Sequence, residues 1–153
     1  MLIPSQSRKV RAAGKKIAVI ASQYNARYVD AMLKAAEAEL KEAGAKIKIV
    51  RVPGAFEIPV VAAKLARTKK FSGIVCLGLI LRGETVHAAH IGDAVSRALM
   101  QIQVETEVPV IHEVLLLENE QQARVRCLGT KHNRGTEAAQ TVLEMARVMA
   151  QMR

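Results

Sequence analysis

The segment Arg82-Gly83-Glu84-Thr85-Val86-His87 places an imidazole just beyond a short turn, directly after the apolar stretch G-I-V-C-L-G-L-I-L at 73–81. Such an unbroken run reads as a strand covered on both faces. The residues after it break the run and lead into a helical pattern. A central parallel strand that feeds a helix N-terminus through a tight turn is the usual place for a phosphate in α/β proteins. The N–H groups of Gly83, Glu84 and Thr85 are expected to be open donors, and the His87 imidazole sits one step beyond them. Together they suit acid/base chemistry on a phosphorylated substrate.

Two further positions could touch a ligand. Phe56 follows a strand end in a chain with two Phe, two Tyr and no Trp, so it is either a core plug or one wall of a pocket. His112 and Glu113 interrupt the apolar run V-I-H-E-V-L-L-L. Buried titratable groups are costly unless paired, so this pair is expected at a strand end or a subunit contact. Cys76 and Cys127 lie far apart and offer neither metal spacing nor a disulfide framework, which points to a reducing cytoplasm.

The elements that must position these residues follow from periodicity. The chain has 153 residues, half of them apolar, enough for one domain with a core of Ala, Val, Ile, Leu and Met. Residues 1–14 read as an extended arm that could pair with a neighbouring subunit, and 15–153 as the domain. A strand begins at Lys16 and turns at Gln23-Tyr24-Asn25. A helical stripe follows at Val29, Met32, Leu33, Ala36 and Leu40 and stops at Gly44. Residues 46–52 form a half-exposed strand, Pro53-Gly54 a turn, and a helix with Pro59 in its first turn runs to about Arg67. The helix after the organising strand is apolar on more than one side, at Ile91, Val95, Leu99 and Ile102 and again at Met100 and Val104. Its second side is expected to meet another subunit. Residues 110–117 make the fourth strand, 118–127 a polar helix and 129–135 a loop, and the last helix packs through Ala138, Val142, Met145 and Met149. Four strands alternating with helices through short links give an open parallel sheet of doubly wound type.

Composition excludes several classes. No apolar run approaches the ~20 residues of a membrane span, and the basic start lacks the apolar core of a signal peptide. The formal charge of +9 comes without aromatic interleaving or a nucleic-acid motif, so solvated basic rims are favoured over specific nucleic-acid binding. Incidental polyanion binding at low salt is compatible with that charge.

Four separated pieces carry a family resemblance: Tyr24-Asn25, V-P-G-A-F-E-I-P at 52–59, R-G-E-T-V-H at 82–87, and G-T-K-H-N-R-G at 129–135. In this order, at these strand ends, the chain resembles the 6,7-dimethyl-8-ribityllumazine synthases of riboflavin biosynthesis. The resemblance implies a flavodoxin-like three-layer sandwich, with a four-stranded parallel sheet between helices. It also implies an active site between subunits of a pentamer, and in some members a sixty-subunit shell. The substrates would be 5-amino-6-(D-ribitylamino)uracil and 3,4-dihydroxy-2-butanone 4-phosphate, with no metal or redox cofactor. Riboflavin synthase is a candidate partner.

Carried over by position, Tyr24 would stack on the pyrimidine beside Asn25. Gly54, Ala55, Phe56, Glu57 and Ile58 would orient the ring and ribityl chain. Leu79, Ile80 and Leu81 would meet the uracil edge, with His112 in one pocket wall. Gly83, Glu84 and Thr85 would cradle the phosphate with Lys131 and Arg126, and His87 would transfer protons. Three departures stand out. Ala88-Ala89-His90 replaces an aromatic-Asp-aromatic triplet, and His112-Glu113 replaces a Phe-Gly pair. Cys127 takes the place of an arginine, leaving Arg126 one position away, where a helix turns a side chain by about 100°. These departures give a second reading: a catalytically weakened relative acting as a self-assembling shell or a ligand-binding protein.

Overall fold

The computed structural model describes residues 9–83 and 85–153. Along the chain come β1 (Lys16–Ser22), α1 (Ala26–Glu42), β2 (Lys46–Val52), one 3-10 turn (Ala55–Glu57), α2 (Ile58–Arg67), β3 (Gly73–Leu81), α3 (His87–Thr106), β4 (Val110–Leu117), α4 (Glu120–Cys127) and α5 (Arg134–Gln151). The strands form one sheet in the order β2-β1-β3-β4, with every neighbouring pair parallel. This is the flavodoxin-like α/β arrangement the sequence implied.

Burial explains the order. Ile17 to Ser22 of β1 and Gly73 to Leu79 of β3 are buried, as central strands between two helical layers must be. The alternating exposure of β2 belongs to an edge, and β4 forms the other edge. Successive side chains of a strand point to opposite faces. Ile17, Val19 and Ala21 therefore join Val29, Met32, Val142 and Leu143 in one core, under α1, α4 and α5. Ala18 and Ile20 join Ile58, Ala62, Val95 and Leu99 in the other, under α2 and α3. The packing of α1 on α5 is close enough that a Cβ on Gly135 would lie 1.9 Å from the Met32 carbonyl oxygen.

Some boundaries differ from expectation. The helix expected after the 129–135 loop starts inside it, at Arg134, because the Asn133 side chain accepts from the Gly135 N–H and caps the helix. Residues 9–14, the described part of the expected arm, are fastened to their own domain. Ala12 is buried and donates its N–H to the Ala43 carbonyl at 2.8 Å, and Lys9 pairs with Glu42. Residues 1–8 lie outside the described residues. His112 and Glu113 are not at a strand end: they are the third and fourth residues of β4 and point to opposite faces. Among the described residues no helix is long and apolar enough to cross a membrane.

Candidate active site at the strand ends

Three turns meet where β1, β2 and β3 end. The turn after β1 is tied to the turn after β2 by the Gln23 N–H, donated to the Val52 and Pro53 carbonyls, and by the Tyr24 N–H, donated to Pro53 at 3.0 Å. Asn25 sits in the left-handed region at φ 59°, which short amide side chains tolerate. From there its Nδ2 donates to the Leu79 carbonyl at 2.8 Å, pinning the turn after β1 to the end of β3. Asn25 is thus a brace, and the Leu79 carbonyl is already engaged.

The exposed Tyr24 ring lies over Gly54. A Cβ at Gly54 would come within 2.8 Å of the ring carbon Cδ2, so only glycine allows this approach. The Gly54 N–H is held by Glu57 Oε2 at 2.9 Å, which leads the chain into the 3-10 turn. Ala55 and Ile58 are buried beneath, but Phe56 is 62% exposed. The core-plug alternative for Phe56 is therefore excluded; the ring stands free beside Tyr24's turn. Ile80 and Leu81 are half-buried at the end of β3.

β3 hands the chain to α3 through an exposed loop. The Arg82 N–H pairs with the Leu117 carbonyl, while Gly83 and Thr85 have no backbone partner for their N–H groups among the described residues. Glu84 lies outside the described residues. His87 is the first residue of α3, exposed, and its N–H is near the Thr85 hydroxyl at 3.4 Å. Among the described residues no acidic side chain occupies the first turn of α3, where the positive end of the helix dipole lies. Open amides, a helix N-terminus and an imidazole make this rim suited to an anionic substrate that exchanges protons.

The remaining expected residues lie elsewhere. His112 leaves β4 toward α3, where Nε2 is 2.7 Å from Ser96 Oγ. Its Nδ1 accepts the Val114 N–H at 3.1 Å, so that nitrogen carries no proton and Nε2 must carry it. Nε2–H therefore donates to Ser96. Such a pair cannot activate the serine as a nucleophile, because the base has no free lone pair facing it. Burial lowers the His112 pKa, an effect opposed by a contact with its own backbone, and the ring is kept neutral.

Glu113 points the other way, toward α4 and α5. Burial pushes its pKa up to about 7, with Arg134 opposing and Glu137 adding to the rise. Its Oε2 is buried without a hydrogen-bond partner among the described residues. Nearby, burial and then the Glu113 charge push the Cys127 thiol up to about 11, so Cys127 stays protonated and inert. Arg126 is half-buried and leans back on its own helix, with Nη1 3.4 Å from the Gln122 carbonyl. Arg134 pairs with Glu137 at 3.0 Å, whereas Lys131 is exposed with no ion pair among the described residues.

The structure thus brings together Tyr24, Asn25, Gly54 to Ile58, Leu79 to Leu81, Gly83, Thr85 and His87. It places His112 on the α3 side of β4, and Arg126 and Lys131 at the α4–α5 corner. Sequence reasoning missed Ser96 and Asn133, whose amide holds both the Cys127 carbonyl and the Gly135 N–H. An asparagine followed by Glu137 in the first helical turn was a readable cap signal. It also missed Ser22, buried against Gly78 with no partner for its hydroxyl among the described residues. Among the described residues no group of three or more His, Cys, Asp or Glu side chains could hold a metal.

Comparison with known proteins matches the sequence to one family. A sequence profile of 6,7-dimethyl-8-ribityllumazine synthase matches residues 14–150. Proteins of that name from Stenotrophomonas maltophilia are 38% identical over 140 residues, covering 90% of each chain. One from Xylella fastidiosa is 36% identical over 146 residues, covering 94% of this chain and 95% of its own. One from Xanthomonas oryzae is 38% identical over 137 residues, covering 88% and 89% respectively.

Proposed function

The chain belongs to the 6,7-dimethyl-8-ribityllumazine synthase family, enzymes of riboflavin biosynthesis, and we propose that it condenses 5-amino-6-(D-ribitylamino)uracil with 3,4-dihydroxy-2-butanone 4-phosphate. The observation that carries this reading is the meeting of Tyr24, Gly54 and Phe56 with the open loop before His87 at one rim of the sheet.

The roles follow from chemistry. The exposed Tyr24 and Phe56 rings offer faces for the flat pyrimidine. Glu57, with one oxygen engaged by Gly54, keeps the turn in shape, and its remaining oxygen can accept from a ribityl hydroxyl. The amides of Gly83 and Thr85, at the N-terminus of α3, suit the phosphate dianion. The substrate amine attacks the ketone and expels water to give an imine, phosphate leaves, and the ring closes with loss of a second water. Each step moves a proton near neutral pH, and we assign that transfer to His87. Holding the two substrates side by side supplies much of the remaining rate.

His112, Arg126 and Lys131 stand apart from this rim within one chain. A second copy would bring them to it, which fits the notion of a site between subunits of a homo-oligomer, a pentamer or an assembly of pentamers. The exposed apolar residues Met100 and Val104 on α3 give such a contact an apolar surface. A cytoplasmic setting and contact with riboflavin synthase belong to the same proposal. One observation favours the second reading, a weakened relative acting as shell or ligand-binding protein: the arginine position is filled by the buried, neutral Cys127.

Turnover decides between them. Purified protein mixed with both substrates should form the lumazine, followed by its absorbance. His87→Ala should lower that rate about 10²–10⁴-fold with little change in pyrimidine binding. An unchanged rate in His87→Ala removes that residue from the mechanism. Pyrimidine binding without product in the native chain supports the second reading.

A further inference from the structure

At the far end of the sheet from the strand-end rim, the chain carries a concentration of positive charge that the reaction does not use. A half-open cavity of about 290 Å³ lies there, between the starts of β1 and β3 and the last turns of α5. Four cations line it: Lys15, Lys16, Lys70 and Arg153, together with the Ser72 hydroxyl, and no acidic side chain is among its lining residues. None of the four takes part in an ion pair among the described residues, and Lys15 is half-buried. The only ring contact among them is Lys16 Nζ over Phe71, at 5.9 Å from the ring centre.

Cations at helix ends often serve only to balance the helix dipole. That accounts for one charge near the end of α5. It does not account for four cations lining one hollow, two of them from the start of β1, with no acidic side chain among the lining residues. Like charges held together repel, and no ion pair among the described residues offsets these four. The strands are parallel, so this hollow and the candidate active site are separated by the length of the sheet, about 20 Å for a seven-residue strand.

We propose that this hollow binds a small, multiply charged phosphate anion of the pyrophosphate class. Lysines act on phosphates as mobile point charges, and the Ser72 hydroxyl adds a directional donor. The cavity is at the low end of the range for ligand sites, which suits a compact anion rather than a large organic molecule. Its charge suits a ligand with several negative charges in a small volume.

Titration calorimetry with pyrophosphate tests this on the full chain in its native assembly. The triple variant Lys15→Gln, Lys16→Gln, Lys70→Gln should weaken binding at least about tenfold, since it removes charge-assisted contacts. Its lumazine-forming rate, and the inhibition of that rate by pyrophosphate at the other rim, should not change. Lys131→Ala should retain the calorimetric binding. The proposal is overturned if the triple variant binds as tightly as the native chain, or if Lys131→Ala abolishes the same heat. It is also overturned if a short RNA binds at the hollow and pyrophosphate does not displace it. Should the triple variant melt early, the single reversal Lys70→Glu carries the same expectation for affinity.

Discussion

The rim formed by β1, β2 and β3 and the corner formed by β4, α4 and α5 both carry residues assigned to one site, yet they are built differently. At the rim, consecutive turns are tied to each other by backbone bonds and by the Asn25 amide. The side chains proposed to act there, Tyr24, Phe56 and His87, stand exposed on that frame. At the corner the charged groups are drawn inward. Glu113 is half-buried with Oε2 fully inside, Arg134 is occupied by Glu137, and Arg126 folds back on its own helix. The rim presents chemistry from a rigid frame; the corner spends its charges on internal packing, leaving Lys131 as its exposed cation without an ion pair among the described residues.

Two glycines sharpen the contrast, and carry the largest expected effect on stability. Gly135→Ala would drive a methyl into the Met32 carbonyl, and backbone cannot step aside cheaply. A loss of about 3 kcal/mol is expected, visible as an early thermal transition at fixed protein concentration. At Gly54 the obstacle is the exposed Tyr24 ring, which can swing away. Gly54→Ala should therefore leave the melting temperature almost unchanged and lower turnover by displacing the ring. If Gly54→Ala melts as early as Gly135→Ala, the ring is part of the fold rather than a free binding surface.

A smaller effect concerns Glu113. Its folded pKa of about 7 lies above the ordinary carboxyl value of 4.5, so the folded chain holds a proton that the unfolded chain gives up. Stability should then fall as pH rises from about 4.5 through 7. After discounting for partial exposure, the loss is about 1–2 kcal/mol. Glu113→Gln should flatten this slope and stabilise the chain above pH 7 by that amount. A slope that survives the substitution places the titrating group elsewhere.

The same contrast explains what could be read in the sequence. The parallel sheet was legible because each central strand is an unbroken apolar run and each α1 or α3 contact recurs at helical spacing. The rim was legible because strand ends in a parallel sheet converge whatever the side chains are. The corner was not. Nothing in V-I-H-E-V says that His112 and Glu113 sit mid-strand, because an edge strand with a half-open outer side admits titratable residues that a central strand would reject. Nor does Cys127 reveal, from sequence, that the shifted Arg126 will lie along its own helix. Those outcomes depend on tertiary neighbours such as Ser96, Gln122 and Arg134. The Asn25 brace was likewise hidden, since its partner, the Leu79 carbonyl, is 54 residues away.

The smallest effect is expected at His112, and it tests whether β4 and α3 are joined by a neutral ring. Even-numbered residues of β4 turn their N–H groups to the free edge of the sheet, since Pro109 and Leu117 give their carbonyls to the β3 side. The His112 ring closes one of those groups, the Val114 N–H, and donates its own proton to Ser96. Protonation would put a donor against a donor at Val114. Because the folded pKa is lowered, the unfolded chain takes up the proton first, and this contribution is lost as pH falls below 6.5. The slope runs opposite to that of Glu113, its neighbour on the other face of the strand. His112→Phe should remove both hydrogen bonds at a cost of about 1 kcal/mol or less, since water can reach the freed groups at the edge. It should also flatten the acid limb of the stability curve while leaving the Glu113 slope intact. An acid limb unchanged in His112→Phe would mean that the ring already carries its proton in the folded chain, and that the Val114 bond does not hold β4 to its present edge.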